Sequence, residues 1–177
     1  MKNIILGVTG SIAAYKAVEL ANMLIKSGAS VKVIMTRSAA EFVTPLTFQT
    51  ITKHKVYTEM FEPIDYEDVR HISLAQEADI LLVAPATANI IGKLACGIAD
   101  DMLTTVALAV RAPIVICPAM NTAMYENAIT RGNMDKLESL GYIFVEPRES
   151  LLACGDMGKG AMADIDAIIN KVNAVTA

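Results

Sequence analysis

Apolar residues arrive along this chain in short unbroken runs, set apart by stretches with helical spacing. Asn3–Val8, Val31–Met35, Asp79–Ala84, Pro113–Cys117 and Tyr142–Glu146 read as buried strands. Between them the spacing predicts helices over Ile12–Ser27 (stopped by Gly28), from Ser38–Phe42, and over Val69–Ala78, Ala88–Ala95, Asp100–Val110, Met134–Leu140 (stopped by Gly141) and Ala163–Val175. Thr44–Asp68, with Pro45 and Pro63, is the least regular region, and Ser150–Met162 reads as a Gly-rich loop. Continuous apolar strands alternating with helices predict an α/β fold: one Rossmann-like domain over 1–177, a parallel sheet with helices on both faces. Ligands of such sheets bind beyond the carboxyl ends of the strands. The loops to search are therefore 9–12, 36–42, 85–90, 118–124 and 151–162.

Composition narrows the function. A length of 177 residues suits one domain, and 54% hydrophobic residues suit a sheet covered twice, with apolar surface to spare for oligomer contacts. The net charge is -4 with no basic cluster, which argues against nucleic acid or an anionic membrane as partner. No apolar run approaches a membrane span, and Met1-Lys2-Asn3-Ile4 leads straight into a strand without a secretory signal. Cys96, Cys117 and Cys154 are widely spaced and odd in number, so neither a disulfide framework nor a metal-binding spacing is present. With only His54 and His71 besides, no metal site is expected, and a cytoplasmic location fits. Cys96 and Cys117 are expected in the core.

The loops carry the candidate chemistry. In Gly7-Val8-Thr9-Gly10-Ser11-Ile12, Gly10 admits a ligand to the backbone, and the following helix offers its free N–H groups to an anion. Thr9 and Ile12 stand where a dinucleotide fingerprint needs glycines, and the second strand ends in Thr36-Arg37 rather than an acid. That argues against NAD and for a smaller phosphate-bearing ligand. Thr36-Arg37-Ser38 and Pro85-Ala86-Thr87-Ala88-Asn89 again place small polar residues after strands. Each can be a plain helix cap; three on one sheet edge favour a phosphate or ribityl site. Pro118-Ala119-Met120-Asn121 ends a buried strand in a proline and presents an amide that can hold a carboxylate but cannot act as acid or base. His71, at a helix start, is a candidate base or a solvated residue. Cys154, among glycines, is a functional or an incidental thiol.

Taken in order, Gly10-Ser11-Ile12-Ala13-Ala14-Tyr15-Lys16, His71, Pro85-Ala86-Thr87-Ala88-Asn89, Gly97-Ile98-Ala99-Asp100-Asp101, Pro118-Ala119-Met120-Asn121 with Met124, and Ala153-Cys154-Gly155-Asp156 resemble the flavin-dependent cysteine decarboxylases over essentially the whole chain. The resemblance implies a Rossmann-like subunit forming homotrimers or a dodecamer, with FMN at a subunit interface. It implies flavin contacts at Gly10, Ser11, Ile12, Thr36, Ser38, Thr87, Ala88, Asn89 and Ala119. His71 would be the active-site base, and Asn121 would hold the substrate's cysteine carboxylate beside Met120. Cys154 would return a proton from a clamp that includes Ala153. The implied reaction oxidises the cysteine side chain to a thioaldehyde, which accepts the electrons left by CO2 loss, and then re-reduces the enethiol.

Within that family the Ala153–Asp156 clamp favours the branch acting on 4'-phosphopantothenoylcysteine in coenzyme A synthesis. Alternatives are a peptidyl-cysteine decarboxylase and a flavin prenyltransferase of the same fold. A non-catalytic phosphatase-binding relative is disfavoured by the lack of a long acidic tail. Tyr125 stands where many relatives carry tryptophan, and Ile90 where some carry threonine. The chain stops at Ala177, so a stand-alone decarboxylase fed by a separate phosphopantothenate–cysteine ligase is expected.

Overall fold

The computed structural model describes residues 1–61, 70–151, 155 and 157–176. In chain order the elements are β1 (Asn3–Val8), α1 (Ala14–Lys26), β2 (Ser30–Met35), α2 (Arg37–Ala40), α3 (Pro45–Thr52), β3 (Val56–Tyr57), α4 (Arg70–Glu77), β4 (Ile80–Ala86) and α5 (Ala88–Cys96). They continue with α6 (Met102–Ala109), β5 (Ile114–Pro118), α7 (Thr122–Glu126), α8 (Ala128–Ser139), β6 (Ile143–Phe144), β7 (Arg148–Leu151), β8 (Met157–Ala161) and α9 (Ile165–Val175).

Side-chain alternation along the strands sets the layers. Ile4, Leu6 and Val8 of β1 join a core with α1, Phe48 of α3 and Ile168 of α9, whereas Ile5 joins a second core with Leu74 of α4, Ile90 of α5, Leu103 of α6 and Leu137 of α8. Ile80 and Leu82 of β4 face the first core, Leu81 and Val83 the second. Successive residues of a strand point to opposite faces, so a run apolar at every position must be covered on both. The sheet runs β3-β2-β1-β4-β5-β6 with every pairing parallel. This is the doubly wound order, and it reverses between β1 and β4, where a crevice opens at the carboxyl edge.

The structure corrects the sequence reading in four places. Thr44–Asp68 contains a helix and a sixth strand: Pro45 opens α3 at a position where its missing N–H costs nothing, and Lys53 closes it in the left-handed conformation at φ 60°. The helix expected from Met134 begins at Ala128, because Asn127 caps it through a bond from the Ile129 N–H at 2.9 Å. The Gly-rich segment includes the antiparallel hairpin β7–β8 rather than a plain loop. Cys96, at the carboxyl end of α5, is exposed, while Cys117 is buried as expected and its thiol is pushed well above the usual range by burial.

Candidate active site

The loops that follow β1, β2, β4 and β5 close around one cleft of about 890 Å³. That size lies within the range of small-molecule and cofactor sites, roughly 300–1,000 Å³. Its walls include Gly10, Ser11, Ile12, Thr36, Ser38, Thr87, Ala88, Asn89, Ala119, Met120 and Asn121, all of the positions named from the sequence in these loops.

The β1 and β4 loops are tied together by Thr9, which is 1% exposed. Its hydroxyl donates to the Pro85 carbonyl at 2.7 Å and accepts from the Thr87 N–H at 3.1 Å. This explains the threonine where a dinucleotide fingerprint would carry glycine: the side chain satisfies two backbone groups of the opposite loop. Gly10 meets the β2 loop so closely that a Cβ there would lie 2.4 Å from the Ser38 Cβ. Among the described residues the N–H groups of Gly10 and Ile12 have no acceptor, and they lie at the amino end of α1. Unpaired donors there suit an anion.

The Thr36 and Thr87 hydroxyls are helix caps as well as walls of the cleft, whereas Ser11, two residues ahead of the α1 N-cap, closes a turn. Ser11 accepts from the Ala13 N–H at 3.3 Å, Thr36 from Ala39 at 3.2 Å and Thr87 from Ile90 at 3.3 Å. Capping uses a lone pair and leaves the O–H proton as a donor, so the two roles are compatible. Asn121 caps α7 in the same way, its Oδ1 accepting from the Ala123 N–H at 2.9 Å. That bond fixes the orientation of the amide at the wall of the cleft.

The hairpin β7–β8 forms the far wall through Arg148, Ser150, Leu151, Gly160 and Ala161. It is docked on the Asn121 turn: the Met120 N–H donates to the Gly160 carbonyl at 2.9 Å, and a Cβ on Gly160 would lie 2.2 Å from the Met120 oxygen. Only a glycine lets the two backbones come this near. Tyr125 adds a second tie. Its hydroxyl donates to Glu146 at 2.9 Å, Lys159 of β8 bridges to the same carboxylate, and the Arg131 guanidinium lies 5.2 Å from the ring centre. The Lys159 hydrogen bond, with help from the Tyr125 hydroxyl, holds Glu146 below the usual carboxylate range. Burial, with Glu146 alongside, raises Tyr125.

Charged wall residues went without a role in the sequence reading. Lys93 of α5 bridges to Asp100 at 2.7 Å and Asp101 at 3.3 Å, and the Asp100 hydrogen bond raises its ammonium above the usual range. Asp101 also caps α6 in a reciprocal box with Thr104. Lys16 of α1 and Arg148 of β7 line the cleft too. Nothing in local spacing could have placed Arg148 beside α1, because the contact depends on where the hairpin docks.

His71 is not brought into the cleft of its own chain. It occupies the first turn of α4, half-buried, and the walls of the cleft do not include it. Ala153 and Cys154 lie outside the described residues. Among the described residues no group of three or more His, Cys, Asp or Glu could hold a metal, and no helix is long and apolar enough to cross a membrane.

The chain is 49% identical over 173 residues to a probable phosphopantothenoylcysteine decarboxylase of Streptococcus mutans, covering 97% of both chains. It is 51% identical over 168 residues to the coenzyme A biosynthesis bifunctional protein CoaBC of Bacillus subtilis, covering 95% of this chain and 41% of that one. It thus spans about two fifths of the length of such bifunctional relatives. Among solved structures, a mutant PPC decarboxylase complexed with pantothenoylaminoethenethiol superposes with a TM-score of 0.89 at 33% identity, covering 98% of this chain and 97% of that one. The FMN binding protein AtHal3 superposes with a TM-score of 0.85 at 33% identity, covering 98% and 95%. The model of the family described as Flavoprotein matches residues 1–177, and the chain belongs to that family.

Proposed function

We propose that this protein is an FMN-dependent decarboxylase that converts 4'-phosphopantothenoylcysteine into 4'-phosphopantetheine. One observation carries the reading: the Asn121 amide and three phosphate-type loops line a single cleft at the sheet's switch point. End-to-end similarity to a probable decarboxylase of that substrate supports it.

The residues present fit FMN. The Gly10 and Ile12 N–H groups and the hydroxyls of Ser11, Thr36, Ser38 and Thr87 are donors suited to a phosphate and a ribityl chain. Ile12, Ala88, Ile90, Ala119 and Met120 give an apolar surface for a planar ring. Bound there, FMN supplies reversible two-electron redox chemistry at the substrate's cysteine side chain, so that a thioaldehyde is present while CO2 leaves and the product ends saturated.

The chain's own residues position and protonate. Asn121 orients the carboxylate through its amide without adding a negative charge beside it. The docked hairpin shields that group from water on one side. His71 assists deprotonation of the cysteine side chain, and Cys154 returns a proton to the enethiol carbon. Because the cleft walls lack His71, the working site is assembled between copies: His71 of the partner subunit completes it, in a homotrimer or a dodecamer of trimers. The reaction is cytoplasmic in this reading, fed by a separate ligase that joins cysteine to phosphopantothenate.

The test is a competition between phosphopantothenoylcysteine and a peptide ending in cysteine, offered together to the FMN-loaded protein. Preferential loss of CO2 from the first supports the proposal. Preferential decarboxylation of the peptide overturns it in favour of a peptidyl-cysteine decarboxylase.

A further inference from the structure

Among the described residues four cations line the cleft, Lys16, Arg37, Lys93 and Arg148, against one carboxylate, that of Asp101. Lys93 is committed to Asp100 and Asp101. Arg37 opens α2 between Thr36 and Ser38, on the side of the β1 and β2 loops. Lys16 stands in the first turn of α1 and Arg148 at the start of β7. They come together where the first turn of α1, the strand β7 and the start of α9 meet.

That corner is built to hold positive charge in place. Arg148 Nε lies 3.4 Å from Asp164 Oδ1. Asp164 stands at the N-cap of α9, yet its side chain makes no capping bond. Aspartate at this position ordinarily caps its helix; here the carboxylate is turned to the guanidinium instead. Burial and the neighbouring Arg148 charge hold the Lys16 ammonium below the usual lysine range, against the opposing pull of Asp164 and Glu19. Two cations drawn together on a cleft wall repel each other, and an anion between them relieves the repulsion.

The substrate of the proposed reaction carries such an anion at the end remote from its cysteine. We propose that Lys16 and Arg148 form the subsite for the substrate's phosphate, with Asp164 positioning the guanidinium. The inference rests on the function proposed above and adds the group that anchors the far end of the ligand. Dimensions agree. Met120 bonds to β8, and Ala161 of β8 pairs with Arg148 of β7, so Arg148 stands two strand spacings from the Asn121 turn. That is about 10 Å between backbones, before the guanidinium extends outward. The extended substrate spans roughly 15 Å from carboxylate to phosphate by ordinary bond dimensions. Guanidinium and ammonium groups are the usual partners of a phosphate dianion. The flavin phosphate has its own donors in the Gly10–Ile12 turn.

The experiment compares phosphopantothenoylcysteine with its dephosphorylated form on the full-length, FMN-loaded protein and its Arg148→Gln, Arg148→Lys and Lys16→Gln variants. Arg148 is an exposed strand residue, and its replacement leaves the core intact. The expected result is a rise of about tenfold or more in KM for the phosphorylated substrate in Arg148→Gln and Lys16→Gln, with kcat within about twofold and KM for the dephosphorylated form unchanged. Arg148→Lys retains part of the preference. A phosphate preference equal to wild type in both glutamine variants overturns the inference. Loss of bound FMN in step with the loss of activity also overturns it, assigning the cations to the flavin phosphate. If the wild-type protein turns over neither compound, the proposed function itself fails and takes this subsite with it.

Discussion

Replacing Gly160 by alanine isolates how the hairpin controls the Asn121 turn. The added methyl would lie 2.2 Å from the Met120 carbonyl oxygen, a backbone atom that no rotamer change can move. Carbon–oxygen contacts relax only near about 3.3 Å, so hairpin and turn must separate by about 1 Å. Separation weakens the Met120 N–H bond to Gly160, now 2.9 Å long. A bond of this kind contributes about 0.5–1.5 kcal/mol, equivalent to a fall of about 1–6 °C in Tm for a domain of this size. The catalytic effect is expected to be larger, because a displacement of about 1 Å near reacting groups lowers rates about 100-fold. The assay is steady-state decarboxylation beside thermal unfolding and FMN retention. Gly132→Ala is the control: its Cβ meets nothing within 4 Å, it lies inside α8, and alanine there should stabilise by about 0.5–1 kcal/mol without changing turnover. A Gly160→Ala enzyme with turnover within about twofold of wild type would refute the claim that hairpin docking places Asn121.

Three more perturbations test other parts of the site. Thr9→Val removes the hydroxyl that pairs with Pro85 and Thr87, leaving two buried backbone groups unsatisfied; a loss of about 1–3 kcal/mol by denaturant unfolding and weaker FMN binding are expected, and unchanged stability would count against the cross-loop role. Asn121→Asp should keep FMN but lose turnover by repelling the substrate carboxylate, and His71→Asn should also be inactive; when the two inactive proteins are mixed and reassembled, activity should return if one copy supplies His71 to another, whereas no recovery would argue for a site within one chain. The Glu146 tie should weaken in acid: its carboxyl is held below the ordinary value by Lys159 and Tyr125, so its contribution is complete above that ordinary value and is lost as pH falls through the lowered one. Protection of the Met120 amide, measured relative to its intrinsic exchange rate at each pH, should fall in that acid window in wild type and be low without this pH step in Glu146→Gln.

The layered architecture was legible because a strand apolar at every position, such as Ile80–Val83, has only one comfortable place, inside a sheet covered twice. The cleft was legible for a related reason: in a doubly wound sheet the loops after β1, β2, β4 and β5 must share one edge, so Gly10, Thr36, Thr87 and Asn121 converge by topology. What escaped depends on contacts between distant parts of the chain. Pro45 reads as a break in a region of mixed pattern, although it starts α3. The glycines around Gly160 suggested a loose loop, although their missing side chains let a hairpin lie against backbone. Arg148 carries no local signal at all, and its proximity to Lys16 exists only once β7 has docked near α1. Family resemblance gives His71 and Asn121 roles in one reaction, and within a single chain the walls of the cleft include Asn121 and not His71.

In the proposed reaction this cleft removes CO2 from a cysteine carboxylate with no net oxidation. The most direct measurement is an anaerobic incubation of FMN-loaded protein with phosphopantothenoylcysteine, following CO2, the product's mass and the flavin absorbance together. The expected result is one CO2 per substrate consumed, a saturated thiol product over many turnovers, and a flavin that finishes oxidised. Unchanged substrate in the presence of firmly bound flavin would contradict it.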